Sequence, residues 1–231
     1  MRVRRGARVA GVAALALLLG ACSEGGTPTA PDPLPASETS KADPSKSPTV
    51  PVADPAHAVD PPGERDGRLW SADILVQWDQ PLDDDLVEQI EKLKGVAHTE
   101  RIGLGQVSLE NRVLTVASVD PGRYRNFTEV KVAEFQEAWD RVAGGEMAID
   151  QKVAKRLTDK GGNIRLGSDD GAPTLHVGAY TPQIPTIDMV VNTAWADDIE
   201  MATDNGLLIS TDRITPASIR KPLEKLVGKD A

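Results

Sequence analysis

The chain has one cysteine, three histidines and few aromatic side chains, only 3% of its 231 residues. A single cysteine excludes an internal disulfide and a cysteine-rich zinc site. With so few histidines, and with neither His-Glu-x-x-His nor paired cysteines, no metal-ligand pattern is spelled out. No Gly-x-Ser-x-Gly elbow is present either. Basic charge is also scarce. Arg2, Arg4, Arg5 and Arg8 crowd the first eight residues, and the sequence after residue 22 holds 35 acidic against 22 basic residues. Such a surface repels nucleic acid and anionic headgroups, so no nucleic-acid partner is expected. The one apolar run, Val9 to Gly20, is shorter than the ~20 residues a transmembrane helix needs.

What is present begins with that run. Arginines, a short apolar stretch and small residues in that order form an export signal. It ends on Leu19-Gly20-Ala21-Cys22, which resembles the lipobox of bacterial lipoproteins. The resemblance implies cleavage before Cys22, acylation of its thiol, and anchorage to the outer face of the cell membrane. Residues 23–68 hold ten of the seventeen prolines and no aromatic residue. They read as a disordered Pro/Ser/Thr-rich linker, unable to bury enough apolar surface to offset chain entropy. Every Trp, Tyr and Phe falls in residues 69–231, which are expected to form one globular domain.

Within that domain the alternation Ala72, Ile74, Val76, Trp78 predicts a strand over 71–78. A helix over 83–94 follows, with Asp83, Asp84 and Asp85 at its positive end. Capping explains that triplet without calcium. Strands are expected over 96–109, 112–119, 146–149, 163–168, 173–180, 187–191 and 206–211. Helices are expected over 131–142, over 151–158 behind an Asp150 cap, from Thr193 to Met201, and after Thr215-Pro216. Val132, Phe135, Trp139 and Val142 would line one side of the second helix. Glu110-Asn111 and Asp169-Asp170-Gly171 read as hairpin turns. The class is therefore α+β, a single mixed α/β domain with antiparallel hairpins.

Catalytic patterns are incomplete. Ser218-Ile-Arg-Lys221 matches Ser-x-x-Lys but lacks the companion motifs. Gly103-Leu-Gly105 lacks a third glycine and sits on a strand. His57 falls in the linker, and His98 and His176 on strands, where a packed or edge role is ordinary. Asp197 and Asp198 are neighbours that face different ways on a helix. The basic-aromatic knot Arg123-Tyr124-Arg125 stands out in an acidic chain and is the candidate partner-binding site. Its alternative is a loop whose aromatics fill the edge of the core.

From Ala72 to Gly228 the order of features resembles the periplasmic core domain of MacB/FtsX-type ABC-transporter permeases. Pro81-Leu82, the helix after it and Gly95-Val96 resemble that family's opening. Leu114-Thr-Val-Ala-Ser-Val-Asp120-Pro121 resembles its "VDP" segment. Gly145-Glu-Met-Ala-Ile-Asp150 with Val153-Ala154-Lys-Arg-Leu157, then Asn163-Ile-Arg-Leu166 with His176-Val-Gly178, resemble its middle. Gly206-Leu-Leu-Ile-Ser210 and the helix after Pro216 resemble its close. The resemblance implies a non-catalytic, cofactor-free ectodomain that binds a protein partner, here an envelope or transporter complex. Unlike those permeases, the chain has no membrane-spanning run after Cys22 and no nucleotide-binding motif. The alternative is a peptidoglycan enzyme or a hydrolase accessory protein.

Overall fold

The computed structural model describes residues 53–211 and 213–228. The expected export signal, Cys22 and most of the proline-rich stretch lie outside the described residues. Among the described residues no helix is long and apolar enough to cross a membrane.

Eight strands form one mixed sheet in the order β1-β8-β2-β3-β7-β4-β6-β5. They are β1 (Ile74–Gln77), β2 (Val96–Leu109), β3 (Arg112–Val119), β4 (Met147–Ile149), β5 (Asn163–Arg165), β6 (Thr174–Tyr180), β7 (Met189–Asn192) and β8 (Gly206–Thr211). The pairs β3/β7 and β4/β6 are parallel and the others antiparallel. Among the described residues six α-helices complete the α+β fold: α1 (Asp84–Glu91), α2 (Pro121–Tyr124), α3 (Val130–Ala133), α4 (Gln136–Ala143), α5 (Gln151–Leu157) and α6 (Pro216–Val227).

Alternation along the strands sends side chains to cores on both faces. In β8, Leu207 and Ile209 pack with Ile90 of α1 and Ile219 and Leu223 of α6. Leu208 packs on the other face with Tyr124, Phe127 and Trp139. In β7, Met189 and Val191 join Leu175 and Trp195, while Val190 faces Trp139. Helices cover both faces, which is why all six residues of β8 are buried.

β2 changes partner midway. Val96 to Ile102 pair with β8, and Gly103 to Leu109 pair with β3. Among the described residues its first half therefore has no strand on the side toward β3. The β2–β3 turn places Glu110 and Asn111 at positive φ, 46° and 63°. That conformation suits a two-residue hairpin following the strand twist.

Two expectations are corrected here. The helix over 131–142 is broken into α3 and α4. The break at Phe135 resets the periodicity and leaves that ring 46% exposed. The linker boundary at 68 also moves, because residues 53–68 do not form a free tether. Asp54 and Val59 donate backbone N–H groups to Gly144 O (3.0 Å) and Ala143 O (2.8 Å). Asn192 Nδ2 donates to His57 O at 2.7 Å, and Arg125 Nη2 to Gly63 O at 3.1 Å. Hydrogen bonds and one ring stack hold this strap, so its lack of large apolar residues does not free it. Gly145 makes room for it. A Cβ there would lie 2.8 Å from Asp54, on backbone already at φ +91°.

Candidate functional site

A cleft of about 710 Å³ opens beside the half of β2 that lacks a β3 partner. α1 forms one wall, and the start of α2 with the approach to β8 forms the other. α1 starts here because Asp83 caps it, accepting from Asp85 N at 2.7 Å. α2 starts here because Asp120 accepts from Gly122 N (2.8 Å) and Arg123 N (3.0 Å). Both caps bring carboxylates to one place.

Most of the acids have a partner. Arg101 Nη2 donates to Asp84 Oδ1 at 2.5 Å. Thr99 Oγ1 donates to Glu91 Oε1 at 2.6 Å. Lys92 Nζ donates to Glu88 Oε1 at 2.6 Å, one helical turn away. The side chains of Asp85, Glu100 and Asp204 have none among the described residues, and of these Glu100 is the buried one. It lines the cleft and is only 7% exposed, and its carboxylate makes no hydrogen bond or ion pair among the described residues. Burial pushes its carboxyl up to about 7, opposed by Arg123 and reinforced by Asp120 and Asp204. A buried carboxyl without a donor is costly, so its place in a cleft marks a candidate site.

The predicted knot divides. Arg123 lines this cleft and is well exposed, its Nε 3.9 Å from Asp120 Oδ2. Tyr124 is fully buried, edge-on to Trp139 at 5.9 Å between centroids, its hydroxyl donating to Gln183 Oε1 at 3.4 Å. Arg125 is 2% exposed and donates to Gln136 Oε1 at 2.9 Å as well as to Gly63 O. Tyr124 and Arg125 are therefore core and strap residues rather than a binding surface. In the four-residue α2 and the turn after it, the inward-facing residues are adjacent in sequence. Cys22 lies outside the described residues.

Each histidine contacts side chains of other segments. Glu146, 4% exposed, accepts from Arg141 Nε (2.7 Å) and Nη2 (2.8 Å) and pairs with His176 Nδ1 at 2.5 Å. Burial alone would raise its pKa, but the bonds from Arg141 and His176 outweigh that and lower it. His98 stacks between Trp70 and Phe127, at 4.7 and 5.7 Å. His57 bridges Asp54 (2.8 Å) and Asp198. Ser218 Oγ lies 2.9 Å from Thr215 Oγ1 at the start of α6, so its hydrogen bond is to that cap. The expected helix from Thr193 is a 3-10 turn, Thr193–Trp195, capped by Asn192, whose Oδ1 accepts from Ala194 N. A second hollow, about 880 Å³, separates the edge strand β1 from α6 and has a largely aliphatic lining.

The sequence spacing does not point to the cleft, because its acids come from 84–100, 120 and 204. One local signal was available. Glu100 shares its strand face with Ile102 and Leu104, so alternation sets a charge at an inward register.

No family model matches this sequence. No curated protein matches it either. Among solved structures, one similar chain is described as a domain of a "putative Permease protein" from Porphyromonas gingivalis. It is 15% identical, covering 65% of this chain and 70% of that one, with a TM-score of 0.30. A likeness of that degree establishes neither a family nor a function.

Proposed function

We propose that this chain is a non-catalytic binding module outside the cytoplasmic membrane, held there by lipid on Cys22 and working beside an envelope complex of the ABC-transporter type. The observation that carries this reading is the N-terminal order: four arginines, the apolar run Val9 to Gly20, then Leu19-Gly20-Ala21-Cys22. Two acyl chains hold firmly because each buried methylene contributes about 0.8 kcal/mol. The permease-like order of segments from Ala72 to Gly228 supports the transporter setting. The histidines support the non-catalytic part. His57 spends both ring nitrogens on carboxylates, and His176 Nδ1 is engaged by Glu146.

Detergent phase partition of membranes tests the anchor. The parent chain should enter the detergent phase, and Cys22→Ala should move to the aqueous phase. A Cys22→Ala chain that still partitions with detergent, with its leader removed, would contradict the proposal.

A further inference from the structure

We propose that the cleft around Glu100 receives the guanidinium or ammonium group of a basic side chain on a protein partner. The inference rests on the binding-module reading and gives the partner its chemistry.

Two independent features support it. The first is charge. Asp84, Asp85, Glu88 and Glu91 from α1, Asp120 from the start of α2, and Asp204 before β8 surround a hollow whose only cations among the described residues are Arg101 and Arg123. Arg101 is committed to Asp84. The second is Glu100, more than nine-tenths buried, lining the hollow and without a donor among the described residues. A buried carboxyl is stabilised by a cation that hydrogen-bonds to it, and a guanidinium does this best. Arg123 is a weak substitute. It is well exposed and its nearest ion pair, to Asp120, is 3.9 Å long. An incoming cation would take the place that Arg123 only approaches.

The occupant is a side chain rather than a bare metal ion. Among the described residues no three His, Cys, Asp or Glu side chains converge closely enough to hold a metal ion. The hollow instead spans about 710 Å³ and is open, which suits a long stem carrying a charge at its tip.

Binding should favour ionised Glu100. Its carboxyl lies at about 7, so affinity should rise roughly tenfold between pH 6 and 8. The charged groups that line the cleft with it are Asp84, Asp85, Glu88 and Glu91 on α1, Arg101 on β2, Asp120 and Arg123 at α2, and Asp204, with His98 two residues before it on the same strand. Burial lowers the pKa of His98, which favours its neutral imidazole.

The test uses the mature chain in non-ionic detergent and a short peptide with two arginines, acetylated and amidated at its ends. Calorimetry should give saturable binding to one site. Glu100→Gln should weaken it at least tenfold, as should Asp204→Asn, which guards against a folding failure in the first variant. Asp170→Asn, on an exposed turn far along the chain, should leave it unchanged. Arg123→Ala should bind at least as tightly as the parent. The same peptide with citrulline for arginine should not bind. Absence of saturable binding, equal affinity in Glu100→Gln, or an equal loss in Asp170→Asn would overturn the inference. So would equal affinity for spermidine, which makes the ligand a free polyamine, or displacement of the peptide by calcium. A chain that fails to bind the peptide yet enters the detergent phase loses this inference alone. A chain that binds the peptide yet lacks lipid loses the anchoring reading alone.

Discussion

The imidazole of His57 lies flat on the indole of Trp195, with ring centroids 3.5 Å apart and planes 7° from parallel. This contact pins the strap of residues 53–63 to the domain, at the place where the chain arrives from its proline-rich segment. Asp54 and Asp198 grip the two ring nitrogens, and Trp195 Nε1 donates to Gly145 O at 2.9 Å. Removing the ring with His57→Ala should cost about 1–2 kcal/mol locally and release the strap without unfolding the sheet. Hydrogen exchange should show protection lost at residues 54 and 59 and kept in β8.

The same joint should respond to pH. Burial alone would lower the pKa of His57, but its bonds to Asp198 and Asp54 raise it above the ordinary value. A raised histidine stabilises fully below its unfolded value of about 6.5 and loses that contribution as pH rises through the folded value. Asp54 is lowered, chiefly by His57, so its contribution is lost only as pH falls through that depressed value. Strap protection, corrected for intrinsic exchange, should therefore be greatest in mildly acidic solution and fall toward pH 8.5. His57→Gln should abolish the trend.

Glu100 gives a trend of the same sign from a carboxyl. Its folded pKa, about 7, lies above the unfolded value, so folding binds a proton between the two. Stability contributed this way falls as pH rises through that window. Glu100→Gln should raise stability at pH 8 by on the order of 1–3 kcal/mol and have less effect at pH 5. Paired thermal melts check this, and equal shifts at both pH values would contradict it.

Arg123 and Arg125, two residues apart, should behave differently. Arg123→Ala should stay within about 0.5 kcal/mol of the parent, because an exposed ion pair contributes little. Arg125→Ala removes buried bonds to Gln136 and Gly63 and should cost roughly 1–3 kcal/mol. Denaturant titration of both variants separates them.

Gly178 is fixed by its neighbour across β4 and β6. A Cβ there would lie 2.7 Å from the Glu146 Cβ and 2.8 Å from its Oε2. Gly178→Ala should push Glu146 off Arg141 and His176 and cost several kcal/mol, near the ~3–5 kcal/mol of a broken buried pair. Gly171→Ala, where nothing lies within 4 Å, should be nearly neutral.

The strands β2, β3 and β8 were legible residue by residue. Alternation is local, and Glu110-Asn111 supplies a turn that tolerates positive φ. The helix cap Asp150 was legible for the same reason, since a cap acts within three residues. The α3–α4 break was not, because burial of Trp139 and exposure of Phe135 depend on what packs against them. The strap was not, because its partners, Gly144 and Asn192, lie far along the chain. The cleft was not, because Asp84, Glu100, Asp120 and Asp204 each read as a cap or a solvated charge until the sheet gathers them.

Mass spectrometry of the N-terminal peptide of the mature chain, purified from its own membranes, tests the central claim most directly. The account predicts a chain beginning at Cys22, with its sulfur in thioether linkage to a diacylglycerol and the mass of those acyl chains present. A mature chain that begins at any other residue, or a Cys22 that reacts as a free thiol, would contradict it.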